Sequence, residues 1–480
     1  MPAGALRTIE EPVMSDENTM RPGDDDPGQD PLSELLRRMG LNVPAQGLDL
    51  NAMMGQFQQA MSQAAAHTDS STGIDWDATK QAARHVVASL GPDPSPTQTQ
   101  RAQLADADRL AESWLDPVTT FAPADAPAEP WSRAQWVDDT MDSWRAIVEP
   151  IVTAIADAMS KAMGGQAMAD APELAQLSGM LGPILRGAAG QMYAAQLSEA
   201  IGKVAADVLT GAELGVQLLS KPRVVVLPTN ANAFVRGLEL PDEDVLMYLT
   251  LREAARQRLF ARVTWLGPQL LALIEHYARG ITIDMAALGE VIDPDSMAGL
   301  TPDKLQELSK QLQGRLFTPT RTPEQEEVLG RLETLLALVE GWVDTVAHEA
   351  AASWLSHEEA LMEVIRRRRA TGGPTEKMFG SLVGLELRPR RVRDAQRLWQ
   401  AVQAARGPEG RDAVWVHPDL IPTTADLDDP IGFSSGERDE DQTRDWDDDL
   451  ARLLEQDRHD DGPADPDSRG SGDTPGPTDH

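Results

Sequence analysis

Residues 241–263, PDEDVLMYLTLREAARQRLFARV, decide how this sequence is read. Pro241 with Asp242, Glu243 and Asp244 forms a helix start, since proline suits the first turn and carboxylates favour the positive end of the helix dipole. The helix is expected to run to about Val263 and to end near Gly267 and Pro268. At about 100° per residue, Val245, Tyr248, Leu249, Leu259, Phe260 and Val263 share one face. Arg252 and Arg256, about 40° apart, fall inside that apolar sector, whereas Thr250, Gln257 and Arg258 take the opposite side. Two cations therefore point inward, and Glu253 borders the same sector. An unpaired buried guanidinium costs several kcal/mol, so carboxylates are expected across the interface.

A second helix, over residues 333–355 (ETLLALVEGWVDTVAHEAAASWL), is apolar around most of its circumference. Glu333, Glu340, Asp344 and His348 interrupt it within a sector of about 80°, because steps of four and seven residues return to nearly the same side. Such a row is ordinarily the wet face of an amphipathic helix. Leu335, Leu338, Trp342 and Val346 lie opposite, so burial of both sides would turn the stripe into an inward polar site.

Working outward, helical periodicity persists from about residue 97 through the segments AQLADADRLAESWL, SRAQWVDDTMDSWRAIVEPIVTAIADAMSKAM and ELAQLSGMLGPILRGAAGQMYAAQLSEAIGKVAADVL. Further helices fit 268–279, 302–314, 323–356, 356–369, 376–384 and 391–406. The first convincing strand is 223–227 (RVVVL), closed by Pro228 and followed by a short helix over Ala233 to Leu238, and strands are few. The fold class is thus mainly α with a small β element. Residues 1–30 and 431–480 are rich in acids, Pro and Gly and have little to bury, so both ends read as disordered. Between them, 31–96 reads as a loosely helical segment and 97–430 as the main domain.

Composition narrows the chemistry. The formal net charge is −34, and the two ends carry −17 of it, which argues against nucleic acid or an anionic membrane as a partner. The basic runs at Arg366 to Arg369 and at Arg388, Arg390, Arg391 and Arg393 lack interleaved aromatics and read as solvated or internally paired faces. There is no Cys, which removes thiol nucleophiles and thiolate metal sites. No stretch approaches the length and apolarity of a membrane span and no secretory signal opens the chain, so a cytoplasmic location is expected. His348-Glu349 meets Ala352 and His357-Glu358 meets Leu361 where a second His would be needed, so neither is a paired-imidazole metal motif. His276 and His417 read as ordinary surface or turn residues.

The block VVVLPTNANAFVRGLELPDEDVLMYLTLREAARQRLF, followed by TWLGPQLLALIEHYARGI, resembles an actinobacterial zincin-like family whose members are labelled zinc-dependent metalloproteases or hydrolases. LLALVEGWVDTV, MFGSLVGLELRPRRVRDAQRLWQAV and VWVHPDLIPTTADLDDP resemble later blocks of that family in the same order, from roughly 100 to 430. The resemblance implies a zincin-like domain whose active helix carries His-Glu-x-x-His. In it two imidazoles bind zinc, the Glu polarises the bound water, and a later carboxylate completes the site. Here Arg252 and Arg256 stand where the imidazoles belong, while Glu253 matches the general base and Glu340 the third ligand.

Arginine stays protonated and offers a metal no lone pair. The expectation is therefore an ion-pair cluster of Arg252, Arg256, Glu340 and Asp344 in place of the metal, with Glu253 vestigial and no cofactor. The protein would then serve as a binding or scaffold protein, with a peptide or protein partner in the former cleft. Two alternatives stand beside this. One is an active hydrolase whose metal is held by Glu340, Asp344 and a rearranged His276 or His348. The other is a helical interaction protein whose cleft is irrelevant.

Overall fold

The computed structural model describes residues 72–164, 190–281 apart from 192 and 214, 322–371 and 391–436, and in them helices surround one short strand pair. The acidic end 1–30, the tail beyond 436, and the helices expected at 302–314 and 376–384 lie outside the described residues.

Helix α1 (Trp76–Ser89) begins at Asp75, whose side chain accepts the Ala78 N–H. Its Ala83 and Val87, with the preceding Ile74, join the same core as the later helices. Helix α2 (Gln98–Leu115) opens on a reciprocal cap between Thr97 and Gln100, which satisfies two of the amide donors a helix start leaves free. Strand β1 (Glu129–Pro130) leads into the long helix α3 (Arg133–Gly164), against which α1 packs.

Strand β2 is confined to Val225–Val226, shorter than expected because Pro228 already opens helix α4 (Pro228–Val235). It pairs in parallel with β1, Glu129 opposite Val225 and Pro130 opposite Val226. On its other edge Gly211 N donates to Val225 O at 3.0 Å and Leu227 N to Leu209 O at 2.9 Å. The strand therefore fixes residues 209–211, which turn back toward the centre of the domain.

Helix α5 (Asp242–Arg262) matches the expected span, and α6 (Leu266–Arg279) follows after a tight turn. Helix α7 (Pro323–Ala351) has Pro323 in its first turn and a reciprocal Thr322–Gln325 cap. It stops short of residue 356, since the chain turns at 352–357 into helix α8 (Glu358–Ala370). Helix α9 (Val392–Ala413) is kinked at Gly407, whose φ of 71° suits glycine. Two short helices, α10 (Thr424–Asp428) and α11 (Pro430–Ser435), close the described chain.

Helix α7 is the axis of the packing: α5, α6, α9 and α2 all lie against it. The approach to α9 is close enough that a Cβ on Gly341 would sit 2.7 Å from Ala395 Cβ. Helix α5 is enclosed on every side. Thr250, Gln257 and Arg258, on the side opposite the apolar sector, are buried as well. The reason is α2, to which Arg258 is tied through Glu112 Oε2 at 2.6 Å and Asp116 Oδ1 at 2.7 Å. Among the described residues no helix is long and apolar enough to cross a membrane.

Candidate functional site

Helices α5 and α7 meet along their charged turns. Arg252 donates through Nη2 to Glu340 Oε2 at 3.1 Å and through Nη1 to Asp344. One turn on, Arg256 donates to Glu340 Oε1 from Nε at 3.1 Å and from Nη2 at 2.9 Å, and its Nη1 reaches Glu253 Oε2 at 2.8 Å. The later arginine meets the earlier carboxylate, so the helices run antiparallel here. The stripe on α7 is an inward one at its centre: Glu340 and Asp344 are buried, as are Leu335, Leu338, Trp342 and Val346 opposite. Glu333 and His348, toward its ends, are partly exposed.

A third guanidinium completes the cluster. Arg369, in the last turn of α8, donates through Nη1 to Glu340 Oε2 at 3.1 Å and through Nη2 to Asp344 Oδ1 and Oδ2 at 2.9 and 3.0 Å. The run at 366–369, read as a solvated or internally paired face, is internally paired at Arg369, although this partnership with Glu340 and Asp344 was not foreseen. The signal was there: Leu361 and Ile365 are buried, and Arg369 continues their four-residue spacing onto the same side of the helix. Its neighbours are paired too, Arg368 with Asp207 and Glu213 and Arg367 with Glu363.

Glu253 has further donors besides Arg256. Its Oε1 accepts the Ala212 N–H at 3.0 Å and Gln257 Nε2 at 2.8 Å, and the Thr210 hydroxyl also donates to it. Gln257 in turn accepts the Arg223 N–H at 3.1 Å. Residues 210–212, beside β2, thus deliver hydroxyl and backbone donors to the carboxylate that follows Arg252 in sequence.

The energetics are those of a buried, neutralised network. Relative exposures are 4% for Arg252, 0% for Glu253, 2% for Arg256, 3% for Glu340 and 1% for Asp344. Removing ions of this kind from water costs several kcal/mol each, which only close opposite charges and filled hydrogen-bond positions offset. Here Arg252, Arg256 and Arg369 face Glu253, Glu340 and Asp344, so the formal charges balance. Burial alone would raise the Asp344 carboxyl, but Arg369 and Arg252 overcome it and hold it at about 2. Burial also opposes charge on Arg252, yet Asp344, Tyr248 and Glu340 keep its guanidinium more strongly protonated than usual. Burial pushes the Glu253 carboxyl up, against the pull of Arg256 and its other donors.

A small cavity remains beside the cluster, walled by Glu213, Glu340 and the three arginines together with Leu209, Thr210, Leu249 and Ile365. The space open to the centre of a water molecule is about 20 Å³, room for roughly one water and far below a ligand pocket of some hundreds of Å³. None of the described histidines lines the cavity: His276 pairs with Glu324 at 3.1 Å, His348 with Glu358 at 3.0 Å and His357 with Asp244 at 2.6 Å. Among the described residues no group of three or more His, Asp or Glu is arranged to hold a metal ion.

The family model for zincin-like metallopeptidases matches residues 74–433. A crystal structure from Chloroflexus aurantiacus, of a protein provisionally described as a hydrolase with a novel fold, is similar at a TM-score of 0.53 and 20% identity. The match covers 76% of this chain and 99% of that one, and at such identity it bears on the fold alone. No curated protein matches the sequence. The chain belongs to the zincin-like metallopeptidase family.

Proposed function

We propose that this member of the zincin-like metallopeptidase family has exchanged its metal site for an ion-pair cluster and works as a binding or scaffold protein, not as a zinc peptidase. The observation that carries the reading is the position of Arg252 and Arg256, both turned onto the carboxylates that a zinc ion would need. Zinc takes nitrogen, sulfur or carboxylate donors, and a guanidinium has no free lone pair. Glu340 spends both its oxygens on arginines, and Asp344 does the same. The donor set at this place therefore does not fit the family's metal.

Glu253 supports the same conclusion. A general base must reach a water or substrate proton with a free lone pair, whereas Glu253 accepts from Arg256, Gln257, Ala212 N and Thr210. With α8 in place the cavity holds about one water, so a peptide could enter the former cleft only if α8 moved aside. The rearranged-hydrolase alternative draws no support from His276 or His348, which pair with carboxylates outside the cavity lining. Peptidase assays test the proposal. Supplying zinc to the full chain should yield no hydrolysis above that of Glu253→Gln, and a zinc-dependent rate that Glu253→Gln abolishes would overturn it.

A further inference from the structure

The replacement of the metal is not confined to the helix that carries Arg252 and Arg256. Arg369 comes from a different helix, yet its fork spans the same two carboxylates as that of Arg252, with Nη1 on Glu340 and Nη2 on Asp344. The guanidiniums of Arg252 and Arg369 thus share one acidic pair between them. With both present Glu340 Oε2 accepts from Arg252, Arg256 and Arg369, and Asp344 Oδ1 from Arg252 and Arg369.

We infer that Arg369 is the positioning residue that keeps divalent cations out of this site, and that it would do so even with histidines restored at positions 252 and 256. The inference rests on the proposed exchange of metal for guanidinium. Two neutral imidazoles would leave Glu253, Glu340 and Asp344 with Arg369 as their remaining cation. Its Nη1 would still hold Glu340 Oε2, the carboxylate that matches the family's third ligand. Its fixed positive charge would also cancel part of the attraction that the three carboxylates exert on a cation. The last turn of α8 is anchored independently, because Arg368 donates to Glu213 Oε1 at 3.1 Å and to Asp207 O at 2.6 Å. Arg369 is therefore held over the acids by more than its own ion pairs.

Zinc uptake by variants of the full chain tests this. Each protein is equilibrated with excess zinc, freed of unbound metal by gel filtration and assayed for zinc per chain, with folding followed by circular dichroism. R252H/R256H should retain below about 0.1 zinc per chain, R252H/R256H/R369Q close to one, and R252H/R256H/R369K again almost none, because the lysine keeps the charge. If the triple glutamine variant is unfolded without metal, zinc should restore its helical signal, since metal binding and folding are then coupled. One zinc in R252H/R256H, with Arg369 in place, would overturn the inference. So would a triple glutamine variant that neither binds zinc nor refolds with it. The parent reading fails on a different sample, the unaltered protein carrying zinc.

Discussion

Arg256 and Glu340 stand on different helices and are both almost fully buried, yet Arg256 Nη2 reaches Glu340 Oε1 at 2.9 Å and Oε2 at 3.2 Å, with Nε at 3.1 Å. This forked contact pins α5 to α7 at the centre of the domain. Removing one partner leaves an uncompensated charge away from water, so Arg256→Met or Glu340→Gln should cost roughly 3–5 kcal/mol in urea unfolding. Arg256→Lys should also destabilise, because a single ammonium cannot reproduce the fork. Losses below about 1 kcal/mol for all three would mean that the pair is not a buried one.

Asp344 gives a pH signature. Its folded carboxyl is held at about 2, below the unfolded value of roughly 4. A depressed carboxyl contributes stability that is fully present above the unfolded value and is lost as pH falls through the folded one. The stability gap between the natural protein and Asp344→Asn should therefore be constant above about pH 5 and narrow between about pH 4 and 2, by an amount on the order of 2 kcal/mol. Unfolding curves across that window check it, and a gap that widens toward low pH would contradict it.

His348 should act in the opposite sense. Its hydrogen bond to the buried Glu358 raises it above the ordinary histidine value, with burial and Arg366 opposing and Glu359 assisting. A raised histidine contributes stability that is present below the unfolded value near 6.5 and lost as pH climbs through the folded one. Melting temperature should therefore fall as pH rises from about 6 to 8, and His348→Gln should flatten that fall. The side chain is partly exposed, so the effect is small and screened by salt.

Gly341 offers a test of the packing axis. Alanine there meets Ala395 Cβ at 2.7 Å and Gln396 N at 2.8 Å. The gain in helix propensity is about 1 kcal/mol, while overpacking costs about 1–3 kcal/mol, so Gly341→Ala should lower the melting temperature. A rise would show that α7 and α9 can separate without loss.

The inward angle of Arg252 and Arg256 and the stripe of Glu340 and Asp344 were legible in the sequence, because a helix fixes side-chain direction through its period alone. The helical spans at 242–262 and 266–279 were legible for the same reason. What the period could not reveal is which helix lies against which. Arg258 and Gln257 looked outward on the wheel and are buried under α2 and the Arg223 backbone. Arg369 hid in a run of four arginines because its partners lie 25 and 29 residues away on α7. The donors on Glu253 were equally hidden, since Thr210 and Ala212 belong to a loop positioned by β2, whose two paired residues give a faint signal.

Zinc content of the unaltered chain, purified without chelators and equilibrated with zinc, tests the central claim most directly. The proposed exchange of metal for guanidinium predicts no stoichiometric metal, below about 0.1 zinc per chain. Close to one zinc per chain, lost in Glu340→Gln, would contradict the account.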